Sequence, residues 1–148
     1  MSTNQKGLKF YDNLDLSQRK NEGELITVYQ KWASLYDKDN DDLLGTVSQP
    51  TAVQIFQEFV KDKKLKIVDV GCGTGLVGQE LKKSGFINFD GIDISQEMID
   101  IAYGRGYQNL FLGNLNESLP FKSKSYDAAL CVGVFTHGHV GSERLSEL

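Results

Sequence analysis

Apolar residues recur at three- and four-residue spacing early in the chain. Later they fall in short continuous or alternating runs, and the change of period divides the sequence. Residues 1–21 carry few apolar anchors and are expected to form a flexible tail. From residue 22, Leu25, Val28, Tyr29, Trp32, Leu35 and Tyr36 mark one stripe of a helix, which the polar run YDKDNDDLLG ends. A second helix is predicted from about residue 51, just after Pro50, with Ala52, Val53, Phe56, Phe59 and Val60 on its apolar face. KDKK at 61–64 is a solvated break.

Beyond that break, strands and helices alternate. LKIVDVG reads as a buried strand, GLVGQELKKSG as a short helix stopped by Gly85, and INFDGIDI as a second strand. SQEMIDIAYGRG reads as a helix capped by Ser95, QNLFLGN as a third strand, SLPFKSKS as a loop and YDAALCVGVF as a strongly apolar fourth strand. GSERLSEL begins another helix. The alternation predicts an α/β fold: a parallel sheet with helices on both faces. One domain is expected over 22–148, with N-terminal helices in 22–62 and a ligand-binding half in 65–148.

The chemistry concentrates at 67–75, IVDVGCGTG. A strand that runs straight into glycines and then a helix aims backbone N–H groups at whatever binds beyond the strand end. Gly73, Gly75 and Gly78 fit the dinucleotide fingerprint G-x-G-x-x-G, but out of register: the strand ends at Val70, and counted from Gly71 the third glycine position holds Leu76. A phosphate-binding P-loop fails as well, since no Lys-Ser or Lys-Thr follows. The in-register pattern is D-x-G-x-G-x-G. A carboxylate at Asp69 would repel a pyrophosphate and suits a ligand with positive charge, such as an ammonium beside a sulfonium.

VDVGCGTG resembles the first motif of the class I S-adenosylmethionine-dependent methyltransferases. FDGIDIS resembles that family's second motif, GNLNESLPF its third and YDAALCVGVFTH its fourth strand, while VYQKWASLYD is similar to the N-terminal segment that often covers the cofactor. Within the class the chain looks most like the methyltransferase-like protein 27 group, also called the Williams–Beuren syndrome chromosome region 27 group. The resemblance implies a Rossmann-like sheet whose first four strands stand in the order 3-2-1-4, with three more strands to follow. The chain is therefore expected to be truncated after the fourth strand, without the C-terminal strands. It implies S-adenosyl-L-methionine as cofactor, with Asp69, Gly71, Cys72, Gly73, Thr74 and Gly75 at the methionine end. Asp93 would take the ribose hydroxyls, and Ile94 and Met98 would wall the adenine. Asn114 and Leu115 would read the adenine edge, and Val132, Gly133 and Val134 would lie near the transferred methyl. Asn114 stands where the family commonly has an acid, so turn chemistry is an equal reading there. Tyr29, Trp32 and Tyr36 are core residues by default, and one of the three is also a candidate cap on the cofactor, with Tyr29 and Trp32 put first.

Composition changes this picture little. The net charge of −4 argues against a large nucleic-acid footprint. Cys72 and Cys131 lack metal-type spacing and suggest a reducing compartment, so a cytoplasmic location is expected, without a membrane span or a signal peptide. DKDND at 37–41 alternates like a calcium loop, but Asp42 and Ser48 occupy the positions that need glycine and glutamate. His137 and His139 lack a third metal ligand. The expected function is methyl transfer to an acceptor, a small molecule or a protein, with no catalytic base visible. A non-catalytic S-adenosylmethionine-binding module and a nicotinamide-dependent oxidoreductase are the alternatives. Self-association through the fourth strand is expected if that strand is an open edge.

Overall fold

The computed structural model describes residues 22–41, 47–135, 140, 141, 144 and 146. The expected tail at 1–21, most of the helix start in GSERLSEL, and both histidines lie outside the described residues. The elements are α1 (Glu22–Asp39), α2 (Ser48–Phe59), β1 (Ile67–Val70), α3 (Leu76–Lys83), β2 (Phe89–Asp93), α4 (Gln96–Ala102), β3 (Leu110–Leu112) and β4 (Ala128–Leu130). All strand pairs are parallel, in the order β3-β2-β1-β4.

β1 is the central strand, buried at every position. Its side chains alternate between two cores. Ile67 joins Val53 of α2, Val77 and Leu81 of α3, and Phe86, Phe89 and Leu130 on one face. Val68 and Val70 join Ile92 and Leu115 on the other, under Phe111, Phe121 and Val134. The same alternation puts Asp69 on the Ile67 face, where it is 1% exposed. The carboxylate is thus carried into the core by strand register, Asp69 pairing with Gly91.

Local sequence explains most boundaries. α3 ends in a Schellman motif: Phe86 N–H donates to the Leu81 carbonyl and Gly85 N–H to that of Lys82, with Gly85 at φ +85°. Ser95 caps α4 by accepting from Met98 N–H at 3.3 Å. α2 begins three residues earlier than the periodicity predicts, at Ser48. Pro50 then sits in its first turn, where the missing N–H would have had no helical partner anyway. β4 is shorter than its apolar run, because only Ile67–Asp69 of β1 oppose it. It is also not buried on both faces: Ala129 is exposed. After Leu130 the chain leaves the ladder and brings Val134 over Gly71. α1 packs on α4 and α2 on α3. Among the described residues no helix is long and apolar enough to cross a membrane.

Candidate functional site

β1 delivers its chain into a loop that closes on the end of β2. The N–H groups of Gly71 and Cys72 both donate to the Ile92 carbonyl, at 2.8 and 3.0 Å. Gly73 N–H donates to Asp93 Oδ2 at 2.8 Å, and Ser95 N–H to Asp93 Oδ1 at 3.0 Å. Gly71, Gly73 and Gly75 have φ of +73°, +53° and +90°, a region that side chains rarely adopt. Their surroundings differ. A Cβ at Gly71 would overlap Val134, whereas one at Gly73 would meet nothing within 4 Å. Gly73 faces open space because a cavity lies there.

That cavity encloses about 720 Å³, including space open to solvent. Its floor is Gly71 and Gly73 with Asp93, and its walls include Ile94, Met98, Asn114 and Leu115. Val132, Gly133 and Val134 line the side after β4, and Leu25, Tyr29 and Tyr36 of α1 line the side opposite the sheet. Asn116 and Val140 complete it. The position, outside the carboxyl ends of β1 and β2 with β4 on the other side, is the switch point at which open α/β sheets bind ligands. Burial raises the Asp93 carboxyl above its ordinary value, and N–H groups from Ser95, Gly73 and Ile94 oppose that rise. Each of its oxygens keeps further lone-pair capacity for a ligand hydroxyl. Asn114 Oδ1 accepts from Asn116 N–H at 2.9 Å, so the turn role expected of it is filled while the residue also lines the cavity.

Five residues expected at the ligand do not line the cavity: Asp69, Cys72, Thr74, Gly75 and Trp32. Asp69 points to the opposite side of the loop, where Tyr107 Oη donates to its Oδ2 at 2.6 Å. Its Oδ1 is buried without a hydrogen-bond partner among the described residues. Burial pushes its carboxyl up to about 7; the Tyr107 bond works against that rise and Asp93 adds to it. Cys72 is buried, and burial followed by the nearby Asp69 pushes its thiol far above the usual range. Thr74 Oγ1 donates to Asp37 Oδ1 at 2.5 Å, and Arg105 pairs with the other oxygen of Asp37. One carboxylate of α1 thereby ties the glycine loop to the α4–β3 connection. Trp32 lies in the core of α1, with Nε1 donating to Asp39 Oδ2 at 2.8 Å and its ring edge-on to Tyr36. Of the aromatic stripe, Tyr29, as expected, and Tyr36 line the cavity.

Sequence reasoning missed Tyr107 and Asp37. Asp37 sits on α1 but off its apolar stripe, Tyr107 lies in the α4–β3 connection, and each acts across more than 30 positions of chain. The signal that was available for Tyr107 was Gly78 and Gly91, two glycines in element interiors with no turn to make.

The cavity's chemistry fits a nucleoside carrying an amino-acid tail. It has a carboxylate for hydroxyls, apolar walls for a flat ring, and a glycine floor that leaves backbone accessible. Residues 67–147, more than half of the chain, match the methyltransferase domain family, described as "Methyltransferase domain". The chain belongs to that family. The sheet is the Rossmann-like sheet of class I methyltransferases. The human methyltransferase-like protein 27 is 37% identical over 138 residues, which cover 90% of this chain and 54% of that protein. The 18S rRNA (guanine-N(7))-methyltransferase of Bos taurus is 40% identical over 73 residues, 49% of this chain and 26% of that protein. A solved S-adenosylmethionine-dependent methyltransferase from Thermotoga maritima superposes with a TM-score of 0.59 at 26% identity, covering 78% of this chain and 50% of that one. The chain thus spans from about a quarter to about half of the length of these relatives.

Proposed function

We propose that this chain binds S-adenosyl-L-methionine in the cavity over β1 and β2 and carries the cofactor-binding part of a methyl transfer to an acceptor. The observation that carries the reading is the conjunction, at the carboxyl ends of neighbouring strands, of the Asp93 carboxylate, the open left-handed Gly73 and the apolar wall of Ile94, Met98 and Leu115. When bound, the cofactor supplies a methyl group already activated by its sulfonium. The chain's own residues then bind, orient and exclude water. Asp93 accepts from ribose hydroxyls while its bonds to Gly73 and Ser95 hold it in place. Ile94, Met98 and Leu115 cover the ring, with Asn114 at its edge. Val132 and Gly133 leave room for an acceptor near the methyl, and Tyr29 and Tyr36 close the cavity from α1. Asp69, Cys72, Thr74 and Gly75 shape the loop from beneath. A neutral amine or other good nucleophile needs no general base, so positioning suffices.

A nicotinamide dinucleotide is disfavoured by Gly78. The third glycine of the out-of-register fingerprint is bare because the Tyr107 ring occupies its side-chain space. For the acceptor we favour a small molecule or a protein on charge grounds. The bovine relative is named for ribosomal RNA, so RNA belongs in the assay panel. The free thiols Cys72 and Cys131 support a cytoplasmic location.

Calorimetric titration with S-adenosylmethionine and with NAD tests the reading. Binding of the first and not the second is expected, and binding of NAD alone would overturn it. A panel of amines, proteins and RNA, scored by release of S-adenosylhomocysteine, separates an enzyme from a non-catalytic binding module.

A further inference from the structure

Three glycines beside the cavity are bare for a reason unrelated to any ligand. A Cβ at Gly78 would overlap the Tyr107 ring, one at Gly91 would come 2.9 Å from both Tyr107 Cε1 and Leu110 Cδ2, and one at Gly75 would come 3.0 Å from Tyr107 Cε2 and 3.1 Å from Ala102 Cβ. The ring stands edge-on to Phe89, centroids 5.1 Å apart, and so fills the space between α3, β2 and the loop. Its hydroxyl is used twice: it donates to Asp69 Oδ2 at 2.6 Å and accepts from Gly78 N–H at 3.1 Å. Gly75, at the N-cap of α3, has no side chain with which to cap the helix. The Tyr107 oxygen takes over part of that task for one of the first helical N–H groups. One phenol therefore joins the carboxylate below the loop to the helix that the loop enters.

We propose, resting on the methyltransferase reading, that Tyr107 is a positioning residue for the cofactor. Its hydroxyl holds the Asp69 carboxylate and the start of α3 in one arrangement, and through Asp69 it makes cofactor affinity depend on pH. The groups that face Asp69 are Tyr107 from the α4–β3 connection, Asp93 from β2, Cys72 from the loop and Cys131 after β4. None of these is a cation, so among the described residues the Tyr107 hydroxyl is the group that favours ionised Asp69. Burial leaves this carboxyl titrating near 7, and removing the hydroxyl raises it further. A cationic ligand above the loop binds better over a carboxylate than over a carboxylic acid. Affinity therefore rises with pH as Asp69 ionises.

The experiment is calorimetric titration of the chain with S-adenosylmethionine between about pH 6 and pH 8.5, for wild type and Tyr107→Phe, with circular dichroism to confirm folding. Wild-type affinity is expected to rise by about tenfold through neutral pH. In Tyr107→Phe the rise is expected at higher pH, leaving binding about tenfold weaker near pH 7 and converging on wild type at the alkaline end. Superimposed profiles would overturn the inference, as would a loss by the same factor at every pH, which marks a purely structural ring. If Tyr107→Phe does not fold, Asp69→Asn decides: it must flatten the wild-type profile, and an unflattened profile overturns the inference. Absence of any wild-type binding would remove the methyltransferase reading itself and this inference with it.

Discussion

Asp69→Asn is expected to make the ligand-free chain more stable above neutral pH. In the unfolded chain this carboxyl ionises near its ordinary 3.8; in the folded chain burial holds it protonated up to about 7. Below 3.8 both states carry the proton and Asp69 contributes no pH-dependent difference. As pH rises from there the unfolded state releases its proton first, so stability falls, and it stops falling above about 7. The full loss is about 4 kcal/mol, since each tenfold step in proton affinity is about 1.4 kcal/mol. The asparagine removes that penalty. Its carbonyl oxygen can still accept from Tyr107, but its amide N–H takes the position of Oδ1, which has no partner among the described residues. An unsatisfied buried donor costs about 1–3 kcal/mol. The net gain at pH 8 is about 1–3 kcal/mol, or about 3–10 °C in Tm for a chain of this size. Thermal melts of both proteins at pH 4, 6 and 8 check it. The variant should lead at pH 8 and lose that lead by pH 4. A variant destabilised equally at all three would refute the reasoning, because it would mean that the carboxylate is not held at a cost.

Asp93→Ala should weaken S-adenosylmethionine binding by about ten- to a hundredfold, the loss of charge-assisted hydrogen bonds worth about 1.5–3 kcal/mol. Calorimetry reads it, and an unchanged Kd would move the ribose site elsewhere. Gly73→Val should abolish binding while keeping the circular dichroism spectrum, since its side chain would project into the cavity from a backbone at φ +53°. Asp90 does not line the cavity, so Asp90→Ala acts on the fold alone. It removes the acceptor for Asn109 N–H and Nδ2 and for Tyr126 Oη. A loss of about 2–5 kcal/mol is expected in urea unfolding, with no change in cofactor Kd for the folded fraction.

The parts that the sequence made legible are those governed by local rules. Ser95 as a cap, Gly85 as a stop and Ile67–Val70 as a buried strand each depend on neighbours within a few residues, and period and cap chemistry report such neighbours directly. The strand order followed from a resemblance across four motifs, and the sheet has it. Other features depended on which side of a strand or loop a residue faces. D-x-G-x-G-x-G does not say that Asp69 lies on the far face of β1, because that follows from the alternation of Ile67, Val68 and Val70 between two cores. The stripe Tyr29, Trp32 and Tyr36 could not distinguish core from cavity. Trp32 turns inward to Asp39, whereas Tyr29 and Tyr36 look across at Gly71 and Gly73. The Thr74–Asp37 and Tyr107–Asp69 pairs join positions 37 and 38 residues apart, and nothing local marks either.

The shared space around Tyr107 has an evolutionary consequence. The ring is what a side chain at position 78 would meet, while at positions 75 and 91 it shares that part with Ala102, Leu110 and Cys72, so Tyr107 and Gly78 form one unit of inheritance. Alanine at Gly78 is excluded while the tyrosine stays. It becomes admissible once a smaller residue replaces Tyr107, whereas Gly91 stays closed by Leu110 and Cys72, and Gly75 by Ala102 and its own φ of +90°. Gly78→Ala alone should therefore be damaging, and Gly78→Ala with Tyr107→Leu should recover much of the lost stability, a coupling measurable in a double-mutant cycle. Relatives that have lost the tyrosine are then the ones free to drift at the glycine inside α3, while Gly73, which answers to the cavity, is expected to remain.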